Sequence, residues 1–263
     1  MTIAAVIPAR YHSSRFPGKP LVDICGKPMV QHVYERAKSA ALVEEILVAT
    51  DDARIADAVR KFGGKAVMTS PDHRTGTERV AEVVGELEAE IIANIQGDEP
   101  LIRGDIIDEA IRPLILDKSI QISTLKTPIT RISDWFNPNV VKVVTDREGF
   151  ALYFSRSPIP FSRDKSSGDG WFPSSGREHE HASLPQGPLY RHIGLYIYRR
   201  SLLLSIAEME STPLERAEGL EQLRLMENGY RIKVIPIDYD PLNVDTPGDL
   251  EEVRERLAGE DFP

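Results

Sequence analysis

The chain has 263 residues, a formal net charge of −9 and 41% hydrophobic residues, a balance typical of a globular protein with room for one large α/β domain or two small ones. An acidic chain is a poor candidate for gripping duplex DNA or an anionic membrane. The single cysteine, Cys25, excludes an intrachain disulfide and a cysteine-based metal cluster and is typical of a reducing compartment. Since no apolar run reaches the length of a spanning helix, we expect a cytoplasmic protein without a membrane partner.

Strand-like and helix-like segments alternate over the first 127 residues. Short runs rich in Val and Ile are separated by amphipathic stretches whose apolar residues recur with helical spacing. This alternation predicts a mostly parallel, Rossmann-like sheet with helices on both faces. Such sheets bind ligands at the carboxyl ends of their strands. The predicted strands are 3–8, 46–50, 66–69, 91–95 and 120–125, and the predicted helices are about 28–41, 53–62, 77–88 and 105–117.

The pattern changes near residue 130, where helices become fewer. We interpret about 1–127 as one half of a single domain, about 128–230 as a smaller mixed subdomain, and 231–263 as a return to the main sheet followed by a C-terminal helix. Residues 163–188 are rich in Ser, Gly, Pro and charge, which predicts a mobile loop. Further strands are predicted at 140–145, 151–155, 192–198 and 231–237, and further helices at 220–228 and from 245.

Three cationic side chains follow the first predicted strand. Arg10, Arg15 and Lys19 lie in segment 8–21, where a loop presents backbone N–H groups as an anion-binding nest at the edge of the sheet. The spacing matches neither the Walker A motif nor Gly-x-Gly-x-x-Gly. We expect a pocket for a small polyanion such as a triphosphate, and the alternative is a polar connector that merely turns the chain.

Two acidic residues mark possible metal ligands. Asp98 follows a predicted buried strand, and there it is placed to hold Mg²⁺ against nucleotide phosphates. The alternative is an ordinary turn. Asp245 precedes the last predicted helix, so it is either a helix N-cap or a second metal ligand.

Short motifs are spread along the chain, at 8–10, 14–15, 17–21, 49–52, 76–79, 96–100, 155–156, 191–196, 220–224 and 244–247. As a set they resemble the CMP-Kdo synthetase family, also called 3-deoxy-manno-octulosonate cytidylyltransferases, of the nucleotide-diphosphosugar transferase superfamily. Kdo is 3-deoxy-D-manno-octulosonate. The first motif alone indicates only the superfamily, whereas the Leu-Glu-Gln-Leu-Arg element at 220–224 separates the chain from CMP-sialic acid synthetases.

The resemblance implies the nucleotide-diphosphosugar transferase fold and an enzyme that transfers CMP from CTP to the anomeric hydroxyl of Kdo, releasing pyrophosphate, for lipopolysaccharide biosynthesis. It implies Mg²⁺ as cofactor, CTP and Kdo as substrates, no nucleic acid and a homodimer. Residues 1–127 would bind the nucleotide, and 128–230 would bind the sugar and form the dimer. The sugar oxygen would attack the α-phosphorus in line, so neither Ser13, Ser14 nor Cys25 is expected to act as a nucleophile.

The resemblance also implies roles for individual residues. Those expected in catalysis are Lys19, Asp98 and Arg15. Those expected at the nucleotide are Ala9, Arg10, Arg15, Lys19, Arg74, Thr75 and Gln96. Those expected at the sugar are Gln96, Arg156, Tyr190, His192, Glu221 and Gln222. Those expected at the metal are Asp98 and Asp245. From the residues alone, Arg156 could equally be a surface cation, His192 a structural hydrogen-bonding group, and Glu221 and Gln222 a solvated helix face.

Other functions fit parts of the pattern. The chain could transfer CMP to another sugar acid, such as 8-amino-Kdo or sialic acid, or it could be a nucleotide sensor without turnover. A sensor has little use for two separated metal carboxylates beside a cationic loop. The loop 163–188 could form a lid over the sugar, anchored by Trp171 and Phe172, or it could be a surface loop.

Overall fold

The computed structural model describes residues 1–12, 16–161, 184–185 and 187–259. The chain forms two compact units. Unit 1 comprises Met1–Ser123, Gly194–Met209 and Tyr239–Pro263, and unit 2 comprises Thr124–Ile193 and Glu210–Asp238.

Strands and helices account for most of the described residues. The strands are β1 (Ile3–Ala9), β2 (Asp23–Ile24), β3 (Lys27–Pro28), β4 (Glu45–Thr50), β5 (Ala66–Met68), β6 (Ile91–Asn94), β7 (Ile122–Pro128), β8 (Lys142–Thr145), β9 (Ala151–Ser155), β10 (Tyr190–Arg199) and β11 (Lys233–Pro236). The helices are α1 (Met29–Lys38), α2 (Ala53–Lys61), α3 (Gly76–Gly85), α4 (Gly104–Leu116), α5 (Ile132–Phe136), α6 (Arg200–Ile206), α7 (Pro213–Glu218), α8 (Gln222–Glu227) and α9 (Pro247–Gly259).

The sheet of unit 1 is mostly parallel. Its strand order is β10-β6-β1-β4-β5, in which β1 runs parallel to β4 and β6, β4 runs parallel to β5, and β10 is antiparallel to β6. Strands β1 and β6 are almost entirely buried, as a continuous Val/Ile run predicts for a sheet covered on both faces. The parallel arrangement brings the carboxyl ends of β1, β4 and β6 to one edge.

Helices surround this sheet. Helix α1 contacts β1 and α4, and α3 contacts β1 and α6. Met29, Val30, Val33 and Ala37 form the buried face of α1, the stripe that the helical spacing predicts. The predicted class, a mostly parallel α/β sheet surrounded by helices, is confirmed.

A small apolar cluster ties the chain end to the edge of the sheet. Ile24, Met29, Leu101, Val244 and Leu250 are all buried in it. The cluster packs the β2–β3 hairpin, α1 and the segment after β6 against the start of α9. Burial of these side chains therefore fixes where residues 98 and 245 lie.

Unit 2 holds shorter, mixed strands. Strand β8 is antiparallel to β9 and pairs with the first part of β10, and the Ile237 N–H donates to the Lys126 carbonyl beside β11 and β7. The boundaries differ from those we expect from the sequence. Residues 231–238 belong to unit 2, because β11 pairs with β7, and residues 194–209 belong to unit 1, because β10 continues beside β6.

Two further expectations from the sequence concern membrane-spanning helices and the loop 163–188. Among the described helices, none has the length and apolar character that crossing a bilayer requires. Most of the predicted loop 163–188, including Trp171 and Phe172, lies outside the described residues, so the lid stays a prediction.

Candidate active site

A cavity of about 210 Å³ opens at the carboxyl edge of the unit 1 sheet. Its walls come from the end of β1, the single 3₁₀ turn Lys19–Leu21, the start of α3, the segment after β6 and the segment before α9. The predicted site residues that line it are Ala9, Arg10, Lys19, Thr75, Gln96, Asp98 and Asp245.

Lys19 joins the two predicted metal ligands. Its Nζ donates to Asp98 Oδ2 at 2.8 Å, to the Val244 carbonyl at 2.8 Å and to Asp245 Oδ1 at 3.4 Å. Two carboxylates far apart in the sequence therefore meet at one ammonium group. Without a positive charge between them, carboxylates this close would repel each other.

A backbone hydrogen bond delivers both aspartates to the cavity. The Val244 N–H donates to the Asp98 carbonyl at 2.9 Å, and the Val244 side chain is fully buried in the apolar cluster. Asp98 and Asp245 thus owe their proximity to a tertiary contact that no local pattern encodes.

The start of α9 shows which residue caps this helix. Thr246 immediately precedes the helix, and its Oγ1 accepts a hydrogen bond from the Asp249 N–H at 3.3 Å. The Asp249 carboxylate accepts in return from the N–H groups of Thr246 and Asp245, at 2.7 and 2.9 Å. This is a reciprocal cap of the capping-box type. The alternative interpretation of Asp245 as the N-cap is therefore wrong, and its carboxylate lies against Lys19 instead.

The donor set fits a hard divalent cation. Mg²⁺ is commonly bound by one or two carboxylates, with substrate phosphates and water completing its coordination. Asp98 and Asp245 supply two carboxylates close enough to share one cationic group. Across the described ranges, no group of three or more His, Cys, Asp or Glu side chains could hold a metal ion by itself. A cation here would therefore complete its coordination with water or phosphate oxygens, and its binding stays a prediction.

Glycine allows the cavity floor to close tightly. A Cβ atom added at Gly97 would lie 2.9 Å from the Pro8 carbonyl oxygen, and one added at Gly76 would lie 3.2 Å from Pro8 Cγ. The missing side chain at Gly97 therefore lets the segment after β6 approach the end of β1 closely, and Gly76 avoids a tight contact with the Pro8 ring.

Thr75 and Arg74 precede α3 and differ in their placement. Thr75 caps the helix, with its Oγ1 accepting from the Glu78 N–H at 3.2 Å. Arg74 is exposed, its guanidinium pairs with Glu78 at 2.9 Å, and it is not among the residues that line the cavity. Its predicted contact with the nucleotide stays a prediction.

The Arg156 guanidinium binds backbone carbonyl groups of other residues in unit 2. Its guanidinium donates to the carbonyls of Glu218 at 2.6 Å, Pro138 at 2.9 Å and Gly219 at 3.2 Å. The Glu218 carboxylate accepts from the Arg156 N–H at 2.9 Å and from Ser155 Oγ at 2.6 Å. This network orients the side chain, and its predicted role at the sugar stays a prediction.

His192 is a neutral hydrogen-bonding group at ordinary pH. Its Nε2 lies 2.9 Å from Thr124 Oγ1, and its ring meets Phe154 edge-on with the centroids 5.0 Å apart. Burial lowers the pKa of His192 to about 3. A neutral imidazole can donate to or accept from a sugar hydroxyl but adds no charge.

The remaining residues predicted at the sugar also belong to unit 2. The Lys126 ammonium lies 4.2 Å from the centre of the Tyr190 ring, a cation–π contact. Glu221 and Gln222 stand at the start of α8, and Gln222 is buried. The alternative of a solvated helix face is therefore wrong for Gln222.

Comparison with known proteins places the chain in a family. Residues 4–233 match the family model described as cytidylyltransferase. The 3-deoxy-manno-octulosonate cytidylyltransferase of Geotalea uraniireducens is 59% identical over 257 residues, with 98% of this chain and 99% of the relative covered. The chain belongs to the 3-deoxy-manno-octulosonate cytidylyltransferase family. The relative of the same name from Geobacter metallireducens is 56% identical over 260 residues, with 98% of each covered.

The fold of the family agrees with that of the chain. A solved structure of CMP:2-keto-3-deoxy-manno-octonic acid synthetase complexed with CTP has a TM-score of 0.88 and 43% sequence identity, covering 98% of this chain and 99% of that one. The resemblance to CMP-Kdo synthetases and the expected nucleotide-diphosphosugar transferase fold are confirmed.

Two residues that line the cavity have no site role predicted from the sequence. His73 and Arg79 both line the cavity. Arg79 is only 3% exposed, and it donates to Asp51 Oδ2 at 2.9 Å and also to Thr69 Oγ1. Arg79 and Asp51 both lie in family motifs, and this is the sequence signal that could have indicated a role for them. The motifs alone do not indicate that the two side chains pair with each other. Arg15, expected in catalysis, lies outside the described residues.

Proposed function

We propose that this chain transfers CMP from CTP to the anomeric hydroxyl of Kdo, giving CMP-Kdo and pyrophosphate for lipopolysaccharide biosynthesis. The observation that carries the proposal is the convergence of Lys19, Asp98 and Asp245 in one cavity at the carboxyl edge of the sheet. The full-length likeness to relatives named for this reaction supports it, as does the likeness to a structure complexed with CTP.

Charge balance explains why the site needs a cation. The triphosphate of CTP, the carboxylate of Kdo and the side chains of Asp98 and Asp245 are all anionic. Arg10 and Lys19 cannot neutralise that sum, because Lys19 already pairs with both aspartates. Asp98 and Asp245 would hold Mg²⁺, which would supply the missing positive charge and Lewis-acid activation of the sugar hydroxyl.

The residues of the chain position the reactants and neutralise charge. Arg10 lies at the cavity wall and attracts the triphosphate, while Lys19 offsets the charge that grows on the α-phosphate as the sugar oxygen attacks in line. The Thr75 hydroxyl lies at the start of α3, where the helix dipole favours an anionic ligand. Positioning of this kind requires no covalent intermediate.

The sugar contacts and the assembly belong to the same proposal. Of the residues expected at the sugar, Gln96 lines the cavity, and the roles of Arg156, Tyr190, His192, Glu221 and Gln222 are taken from the family resemblance. The proposal also includes Mg²⁺ dependence, a homodimeric assembly and a cytoplasmic location.

A substrate panel tests the proposal. Pyrophosphate release is measured with CTP, UTP, ATP or GTP, each with Kdo, 8-amino-Kdo or sialic acid as acceptor. We expect the highest kcat/KM for CTP with Kdo, because the relatives of this chain are named for cytidylyl transfer to this sugar. Equal kcat/KM for CTP and ATP would refute the nucleotide assignment. A higher kcat/KM for 8-amino-Kdo or sialic acid would identify that sugar acid, and not Kdo, as the substrate.

A further inference from the structure

A second side-chain contact lies beside the two metal-binding aspartates. Glu99, the neighbour of Asp98, is only 3% exposed, and its Oε1 accepts a hydrogen bond from Asn243 Nδ2 at 3.2 Å. Asn243 precedes Asp245 by two residues. The segment after β6 and the segment before α9 are thus joined side chain to side chain as well as backbone to backbone.

The two contacts together fix an orientation. The Val244 N–H donates to the Asp98 carbonyl at 2.9 Å, and a single hydrogen bond of this kind does not by itself fix how the two segments are oriented about it. Asn243 precedes Val244 by one residue, and Glu99 follows Asp98 by one residue. The two segments are therefore paired in an antiparallel sense by these two hydrogen bonds. A pivot would have to break the Asn243–Glu99 bond, which therefore adds to the Lys19 contacts and the apolar cluster in holding Asp245 relative to Asp98.

The burial of the Glu99 carboxylate needs a structural explanation. Taking a carboxylate out of water is costly unless hydrogen bonds compensate it. Glu99 also lies next to Asp98, whose charge adds repulsion. An apolar side chain of similar size would fill the same space at lower cost, so the carboxylate is better explained by its polar contacts, among them the bond from Asn243.

We infer that Glu99 and Asn243 are positioning residues that set the separation of Asp98 and Asp245, and thereby the affinity of the cavity for a divalent cation. The inference rests on the proposed function, because it assumes that the two aspartates bind a cation. Neither residue is proposed to touch the cation or the substrates.

Mn²⁺ titration into the whole protein, without CTP or sugar, tests the inference. Asn243→Ala and Glu99→Ala should each weaken Mn²⁺ binding about tenfold, the usual loss when an outer-shell partner is removed. The double variant should lose no more Mn²⁺ affinity than Glu99→Ala alone, because Glu99→Ala already removes the bond to Asn243. Glu99→Gln keeps an acceptor oxygen for Asn243 and should retain most of the affinity.

A matched control separates positioning from general destabilisation. Asn228→Ala removes a side-chain amide that donates to the Arg224 carbonyl at 2.8 Å in unit 2, and it should leave Mn²⁺ binding unchanged. If Asn243→Ala fails to fold, Asn243→Ser takes its place, since its side chain is polar but too short to reach Glu99. At saturating Mg²⁺, Asn243→Ala should regain a kcat near that of the wild type.

The outcomes distinguish this inference from the proposed function. Equal Mn²⁺ affinity in the wild type and Asn243→Ala overturns the inference alone. A wild type that takes up no Mn²⁺ overturns it together with the cation site. Weaker Mn²⁺ binding in both alanine variants supports the positioning role even if the substrate panel finds no pyrophosphate release, a result that would refute only the proposed reaction.

Discussion

Replacing Lys19 by methionine should change cation binding and turnover in opposite directions. The Lys19 ammonium lies between the carboxylates of Asp98 and Asp245, at 2.8 and 3.4 Å, so a divalent cation must displace it. Methionine keeps much of the stem but carries no charge. We therefore expect Lys19→Met to bind Mn²⁺ more tightly than the wild type and to turn over more slowly.

The magnitude follows from the geometry and the exposure. Two unit charges about 3 Å apart attract by roughly 1.4 kcal/mol in bulk water and by several times more at a low effective dielectric. The Asp98 and Asp245 side chains are 28% and 44% exposed, which favours the lower figure because solvent screens the pair. A change of about 1.4 kcal/mol corresponds to about tenfold tighter Mn²⁺ binding. Loss of an electrostatic stabiliser should lower kcat by roughly 10²–10³-fold.

Calorimetric titration with Mn²⁺ and steady-state kinetics at saturating Mg²⁺ measure the two effects. Lys27→Met is the control, since Lys27 pairs with Glu35 at 2.7 Å on the surface, and it should change neither quantity. Unchanged or weaker Mn²⁺ binding by Lys19→Met would refute the displacement. An unchanged kcat with only a raised KM for CTP would show that Lys19 merely anchors the substrate.

Three further predictions concern the cavity and unit 2. Asp98→Asn and Asp245→Asn should each abolish most pyrophosphate release without a change in the circular dichroism spectrum; near-normal kcat and Mg²⁺ dependence in Asp245→Asn would remove that residue from the cation site. Gly97→Ala should lower the free energy of unfolding in urea by about 1–3 kcal/mol, because its Cβ would lie 2.9 Å from the Pro8 carbonyl oxygen; unchanged stability contradicts the close approach. The His192 pKa falls from the ordinary 6.5 to about 3 on folding, so the unfolded chain binds a proton first, and stability should drop as the pH falls through this window. His192→Gln should therefore lose less stability than the wild type between about pH 7 and about pH 5, as measured by urea unfolding, and an equal loss would contradict the buried neutral ring.

The sequence predicts the long elements of the fold because their burial has a clear period. Strand β1 is apolar throughout, and α1 buries one helical stripe. The hairpin of β2 and β3 escapes prediction since two-residue strands have no measurable period. Helix α7 escapes as well, because none of its residues is buried.

The candidate site is predictable only in part for a related reason. Segment 8–21 and the end of β6 can be placed at the carboxyl edge of the sheet from strand order alone. The meeting of Asp98 with Asp245 depends on the hydrogen bond from Val244, a tertiary contact that neither periodicity nor a local motif encodes. The Arg79–Asp51 ion pair is equally non-local.

The unit boundary inside β10 could not be predicted from the sequence. The chain passes between the units after Ile193, within the single strand β10. Residues on both sides of that point share the same strand pattern, so nothing in their hydrophobicity marks the change.

Product analysis tests the central claim most directly. The protein is incubated with CTP and Mg²⁺, with and without Kdo, and CMP-Kdo and pyrophosphate are quantified over one time course. We expect equal amounts of the two products when Kdo is present, and no pyrophosphate when Kdo is absent. Pyrophosphate release without Kdo, or an absence of CMP-Kdo when Kdo is supplied, would contradict direct transfer of CMP to the sugar.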